Sequence, residues 1–363
     1  MRRLWRAVLD CVAPYEAVKP LEQLQAELGV AELVRLSANE NPLGPSPCAV
    51  QAVVHEAARA HLYPDGGGTT LRQALGRHLG VGSGAILLGN GADELLALIA
   101  WAAFESGNEV VIPHPSFEPY STVVTLSEAI PVRSPLANYH TDLTDIAKRV
   151  TPRTKALILC SPHNPTGTIV RREPLLRLLT DLGPDPPLVI LDEAYRDFAE
   201  DPEAADGVAL LPHHPTLIVL RTFSKIAGLA GLRVGYAVAR PEVIEKLNRV
   251  RAPYNVNRLA QVAAVAALAD RQHWERTVQL IREERSFLTV ELTKRGLSVV
   301  PSQANFLLVG AGEEAEALCE RILRSGILVR AGTAVGFPGH LRITVGMRAQ
   351  NERLLIALDR ARA

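Results

Sequence analysis

Between about residues 69 and 250, short apolar runs alternate with helical patterns, and this alternation limits the folds open to the chain. The runs lie at 85–88, 109–112, 156–160, 188–191 and 217–220. They are continuous rather than alternating, so both faces of each strand are buried. Buried strands separated by helices are βαβ units, and βαβ units build a parallel sheet covered by helices. The expected fold class is α/β: a large domain with a mostly parallel sheet flanked by helices, then a smaller α+β domain. The second domain rests on strand patterns at 306–309 and 341–345 mixed with helical ones at 314–325 and 351–360. Pro253 and Asn255-Val256-Asn257 read as a hinge. The expected organisation is therefore an N-terminal arm at 1–35 packing with the small domain, a large domain at 36–252 and a small domain at 253–363.

Length and charge agree with this division. A chain of 363 residues is long enough for about two domains. Lys plus Arg equals Asp plus Glu, 39 each, so no basic excess points to nucleic acid or a membrane surface. The four cysteines, Cys11, Cys48, Cys160 and Cys319, are scattered, which suits free thiols in a reducing cytoplasm. Neither a signal peptide nor a membrane-spanning run is expected. Metal chemistry finds no pattern: His213-His214 is adjacent, not spaced i, i+4.

In open parallel sheets, ligands bind beyond the carboxyl ends of the strands, so the residues following each run are the informative ones. The run at 217–220 leads into Thr222-Phe223-Ser224-Lys225, and an amine there can be partly desolvated and nucleophilic. After 188–191 come Asp192 and Tyr195, a carboxylate able to hold a ring nitrogen protonated and a phenol able to donate to an oxygen. After 156–160 comes His163-Asn164-Pro165-Thr166-Gly167. After 85–88 comes Gly89-Asn90-Gly91-Ala92-Asp93-Glu94, opening a helix whose free N–H groups can cradle a phosphate. Thr222, Ser224 and Arg233 can complete that cup, and Phe117 can stack on an aromatic ring. Each residue also has an ordinary structural use, in turns, caps or core. Together they describe a site for pyridoxal phosphate (PLP). The competing dinucleotide reading of Gly89-x-Gly91 lacks its third glycine, where Glu94 stands.

The ordered set of motifs resembles the fold-type I PLP-dependent aminotransferases of class I/II, and within them the histidinol-phosphate aminotransferases. Matching segments run almost end to end. They include Ser37-Ala38-Asn39-Glu40-Asn41-Pro42, Tyr63-Pro64-Asp65, Gly228-Leu229-Ala230-Gly231-Leu232-Arg233, Tyr254-Asn255-Val256-Asn257 and Arg342-Ile343-Thr344-Val345-Gly346, besides those already quoted. The resemblance implies that Lys225 is the Schiff-base lysine and proton shuttle, that Asp192 holds the pyridinium, and that Asn164 and Tyr195 bind the ring oxygen. It implies Ala92, Asp93, Thr222, Ser224 and Arg233 around the phosphate, with Tyr63 reaching the partner's phosphate site across a homodimer. Tyr15, Asn39, Tyr63, Asn164, Arg330 and Arg342 would meet the substrate. Phe117 stands where a tyrosine is frequent. The reaction implied is reversible transamination between L-histidinol phosphate and 2-oxoglutarate. An aromatic amino-acid aminotransferase and a threonine-phosphate decarboxylase are alternatives on the same fold.

Overall fold

The computed structural model describes residues 4–14 and 19–362. Tyr15 lies outside these residues. Seven strands form one sheet, in the order Ile86–Gly89, Gly235–Val238, Leu217–Thr222, Leu188–Asp192, Thr154–Cys160, Glu109–His114 and Ile130–Pro135. The last five in this order pair in parallel, and Gly235–Val238 runs antiparallel to both its neighbours. All five apolar runs read from the sequence are strands of this sheet.

Period-two alternation divides the strand residues between two layers. Leu157, Leu159, Val189, Leu191, Leu217 and Val219 face one core, which they share with the helices Thr69–Leu79 and Arg258–Ala269. Ala156, Ile158, Ile190, Ile218 and Leu220 face the other, under the helices Gly91–Ala103 and Glu118–Leu126. A sheet buried on both faces has its strand ends as the remaining open ground for chemistry.

A third core lies under a four-stranded antiparallel sheet, in the order Arg330–Ala331, His340–Thr344, Phe306–Gly310 and Ser298–Val299. The long helix Arg271–Lys294 and the helices Ala315–Arg324 and Arg348–Arg362 cover it. The short strand Val34–Arg35 pairs in parallel with Ile327–Leu328, which fastens the start of the chain to this body. The helix Leu21–Leu28 ends at Gly29, whose φ of 64° is the left-handed conformation that favours glycine.

Candidate active site

Four loops and one strand pair converge at the carboxyl ends of the large sheet. The strand Leu217–Thr222 delivers Thr222, Ser224 and Lys225. Lys225 Nζ donates to the Ala38 carbonyl at 3.1 Å. Burial, and then the nearby Arg342 guanidinium, lower its amine to about 8. At pH 7 roughly a tenth of such amines are neutral, against almost none at the ordinary lysine value.

The strand Leu188–Asp192 ends in a carboxylate that is 4% exposed. Asp192 Oδ1 accepts from the Ala194 N–H at 3.0 Å, and Oδ2 accepts from the Tyr120 hydroxyl at 2.6 Å. Burial raises its carboxyl to about 6, opposed by those two donors. Tyr195 follows; burial pushes its phenol up to about 12, so it stays protonated. Its oxygen accepts from Asn39 Nδ2 at 3.0 Å, which leaves its own O–H to donate elsewhere.

The strand Thr154–Cys160 leads to Asn164, whose Oδ1 accepts from the Arg342 guanidinium at 2.7 Å. The Asn164 amide N–H₂ is thereby turned away from Arg342. His163, beside it, is fully buried between Thr166 Oγ1 at 2.9 Å and Ser116 Oγ at 3.2 Å. Burial lowers it to about 3, so it is a neutral strut.

A cradle lies at the start of the helix Gly91–Ala103. Asn90 precedes the helix, yet its side chain caps none of the helix N–H groups. Arg233 faces this end: its guanidinium donates to Asp93 Oδ2 at 3.0 Å, to Ala230 O at 3.2 Å and to Ser224 Oγ at 3.4 Å. Thr222 Oγ1 donates to Ser224 Oγ at 3.0 Å. Arg233 holds a φ of 56°, a backbone conformation costing roughly 1–2 kcal/mol for a residue with a side chain. Gly91 makes room for it, since a Cβ there would lie 2.4 Å from Arg233 Nη2. Uncapped N–H groups, two hydroxyls and a guanidinium suit a phosphate monoester.

Arg330 and Arg342 are direct partners in the antiparallel pairing of Arg330–Ala331 with His340–Thr344. Residues opposite each other in such a pair project to the same face. Arg342 is buried; it donates to Asn164 and to the Ser37 carbonyl at 2.8 Å, while its Nε has no partner among the described residues. Arg330 is exposed and forms no ion pair among the described residues.

The structure thus brings together Asn39, Asn164, Asp192, Tyr195, Lys225 and Arg342, and, around the cradle, Ala92, Asp93, Thr222, Ser224 and Arg233. Phe117 precedes the helix Glu118–Leu126 and meets Tyr120 edge-on at 5.5 Å. Tyr63 is not joined to any of them within the chain; it is exposed and stacks on Tyr254 with ring centroids 4.6 Å apart. Sequence reading missed the carbonyls of Ser37 and Ala38 and the Tyr120 hydroxyl. The carbonyls carry no residue-type signal. A tyrosine on a helix is indistinguishable from a core aromatic until the helix is docked. Chemically, the cleft offers a nucleophilic amine, an acceptor carboxylate, two donors beside it, a phosphate cradle and a pair of guanidiniums.

Comparison with known proteins agrees with this geometry. The family model described as "Aminotransferase class I and II" matches residues 31–358. A histidinol-phosphate aminotransferase of Symbiobacterium thermophilum is 44% identical, covering 98% of both chains. One of Moorella thermoacetica is 42% identical over 97% of this chain and 92% of its own. The crystal structure of histidinol-phosphate aminotransferase from Sinorhizobium meliloti in complex with pyridoxal-5'-phosphate superposes with a TM-score of 0.91. It is 29% identical and covers 99% of this chain and 98% of its own. The fold, the site and these likenesses converge: the chain belongs to the aminotransferase class I and II family.

Proposed function

We propose that the chain is a PLP-dependent histidinol-phosphate aminotransferase, exchanging an amino group between L-histidinol phosphate and 2-oxoglutarate to give imidazole acetol phosphate and glutamate. The residues present fit the cofactor: the cradle that Gly91 opens beside Arg233 takes its phosphate, and Lys225 lies within reach of the same strand ends. When bound, PLP supplies an electron-withdrawing ring. The roles below are proposals for the chain's own groups. Ala92 and Asp93 N–H, Ser224, Thr222 and Arg233 hold phosphate oxygens. Asp192 would accept from the ring nitrogen, and Asn164 and Tyr195, whose donors are left free, would donate to the ring oxygen. Phe117 lines the ring face. Lys225 attaches the cofactor and then moves a proton at the substrate α-carbon, a task for which an amine lowered to about 8 is suited.

The observation that carries the substrate is the Arg330–Arg342 pair. Histidinol phosphate has a phosphate dianion and no carboxylate, so its site must balance two charges. Two guanidiniums on one face, one with an unused N–H, meet that load. Asn39 lines the proposed pocket, and the resemblance implies Tyr15 there as well. Arg330→Ala is expected to lower kcat/KM for histidinol phosphate roughly 30- to 200-fold, the loss of a charge-assisted contact. The same change should alter phenylalanine turnover only a few-fold. Equal losses on both substrates, or a wild-type preference for phenylalanine, would favour an aromatic amino-acid aminotransferase.

The proposed assembly is a homodimer. Tyr63 is 77% exposed and, with Leu62, Tyr254 and Arg258, borders a cavity of about 620 Å³. Arg258 holds this segment through the Leu62 and Tyr63 carbonyls. Tyr63 would complete the phosphate cradle and substrate pocket of the other subunit. Sedimentation should give a dimer, and hybrids of Tyr63→Phe with Lys225→Ala subunits should regain one working site. A fully active monomer would exclude shared sites.

The domain organisation is likewise a proposal: an arm at 1–35, a cofactor-binding part at 36–252 and a third part from 253, whose first helix packs back on the large sheet. Cytoplasmic location is proposed from the four free cysteines. Among the described residues, no helix is long and apolar enough to cross a membrane.

A further inference from the structure

Tyr120 is unused by the roles proposed above. It lies on the helix Glu118–Leu126, is 1% exposed, and packs its ring edge-on against Phe117. Its hydroxyl donates to Asp192 Oδ2 at 2.6 Å, a length typical of an O–H···O⁻ bond to an ionised acceptor. The phenol is pushed well above its ordinary value, mainly by burial, so it remains a donor at all working pH. Asp192 forms no ion pair among the described residues. The groups that face it are Tyr120 from the helix, the buried Cys160 thiol on the neighbouring strand, the Tyr195 phenol, and two opposed charges, Asp93 and Lys225. A carboxylate buried without an ion pair depends chiefly on its donors to stay ionised. Here there are two, and only one is a side chain.

We infer that Tyr120 is a positioning residue: it fixes the Asp192 carboxylate in its ionised form and aims it, and so keeps the proton shared between Asp192 and the cofactor ring on the ring nitrogen. The inference rests on the proposed pairing of Asp192 with that nitrogen. With the phenol in place, the carboxylate already has two donors and is a weak base. The ring N–H then finds an acceptor that does not take its proton. Without the phenol, Asp192 is more basic and the proton moves across to the carboxyl group. The ring becomes neutral and withdraws electrons less strongly. The edge contact with Phe117 ties the ring face to the same helix end.

The test uses the holoenzyme with Tyr120→Phe, which keeps the ring packing and removes one oxygen. PLP labelled with ¹⁵N at the ring nitrogen is bound at saturation, and its chemical shift is recorded near neutral pH. The resonance is expected to move from the protonated toward the neutral-pyridine position. The kcat should fall roughly 10- to 100-fold, with KM changed by no more than about threefold. The melting temperature guards against a folding defect, because a purely structural role would lower it without moving the nitrogen resonance. In an Asp192→Asn background, Tyr120→Phe should add no further loss, since the two act through one proton. An unshifted resonance with kcat within about twofold of wild type overturns the inference. If Asp192→Ala nevertheless loses turnover, the ring pairing stands and only the role of Tyr120 fails. If Asp192→Ala also turns over normally, the pairing itself is wrong.

Discussion

Lys225→Ala is expected to abolish transamination, by roughly 10⁴-fold or more, while PLP still enters the phosphate cradle. The size follows from two losses at once. The proposed covalent attachment point goes, and so does the group proposed to move the proton, a contribution of roughly 10²- to 10⁴-fold by itself. The fold should persist, because among the described residues Nζ makes a single hydrogen bond, to Ala38 O, and the phenylalanine two residues earlier, not Lys225, fills the core. The amine also fixes a pH dependence. Its lowered value, about 8, means that the neutral form grows about tenfold per unit below pH 8 and saturates above it. The rate at which cofactor-stripped wild-type enzyme recaptures PLP should follow that curve. A rate still climbing at pH 10 would mean that the amine is not desolvated as described. Borohydride treatment of the wild-type holoenzyme should fix the label on Lys225 and on no other lysine.

Asp192→Ala should bind PLP and turn over roughly 10²- to 10⁴-fold more slowly, an increase of about 3–5 kcal/mol in the barrier. The carboxylate is deeply buried and held by two donors, and its neighbours Cys160 and Tyr195 are neutral groups with raised values that cannot take its place. The expected signature is a drop in kcat with little change in KM. Asp192→Asn should retain the geometry and lose nearly as much, because an amide cannot balance a ring cation. Near-normal turnover in either variant would remove Asp192 from the proposed chemistry.

The legible part of this fold was the part written in continuous apolar runs. Five strands of the large sheet were readable because each is buried on both faces. The two that escaped are explained by their places. Ile130–Pro135 is an edge strand, half-exposed and carrying Pro131 and Pro135, which an edge tolerates and an interior strand does not. Gly235–Val238 opens on a glycine straight after the loop that carries Arg233 and runs antiparallel to both its neighbours. The helix Pro47–Ala57 starts where it does because the Ser46 hydroxyl oxygen accepts from the Ala49 N–H.

The site was legible where chemistry resides in side chains that follow strands. Arg330 and Arg342, the proposed anchor pair, entered through the resemblance; their direct opposition depends on register, which only the folded sheet displays. Tyr120 and Asp192 are 72 positions apart, and no periodicity links them. Tyr63 marks another limit: a residue proposed to act in a second subunit has no counterpart within one chain.

The strand pairing that fastens Val34–Arg35 to Ile327–Leu328 has a consequence for synthesis. The segment just after it hands the Ser37 carbonyl to Arg342, 305 positions away, and the Asn39 backbone N–H to Thr344, also 305 positions away. At roughly 5–20 residues per second, those partners leave the ribosome some 15–60 s after the segment does. During that interval all seven strands of the large sheet have emerged, and Lys225 with them, while Arg342 and Thr344 do not yet exist. The nascent chain therefore passes through a stage with its amine made and the proposed substrate anchors still unmade.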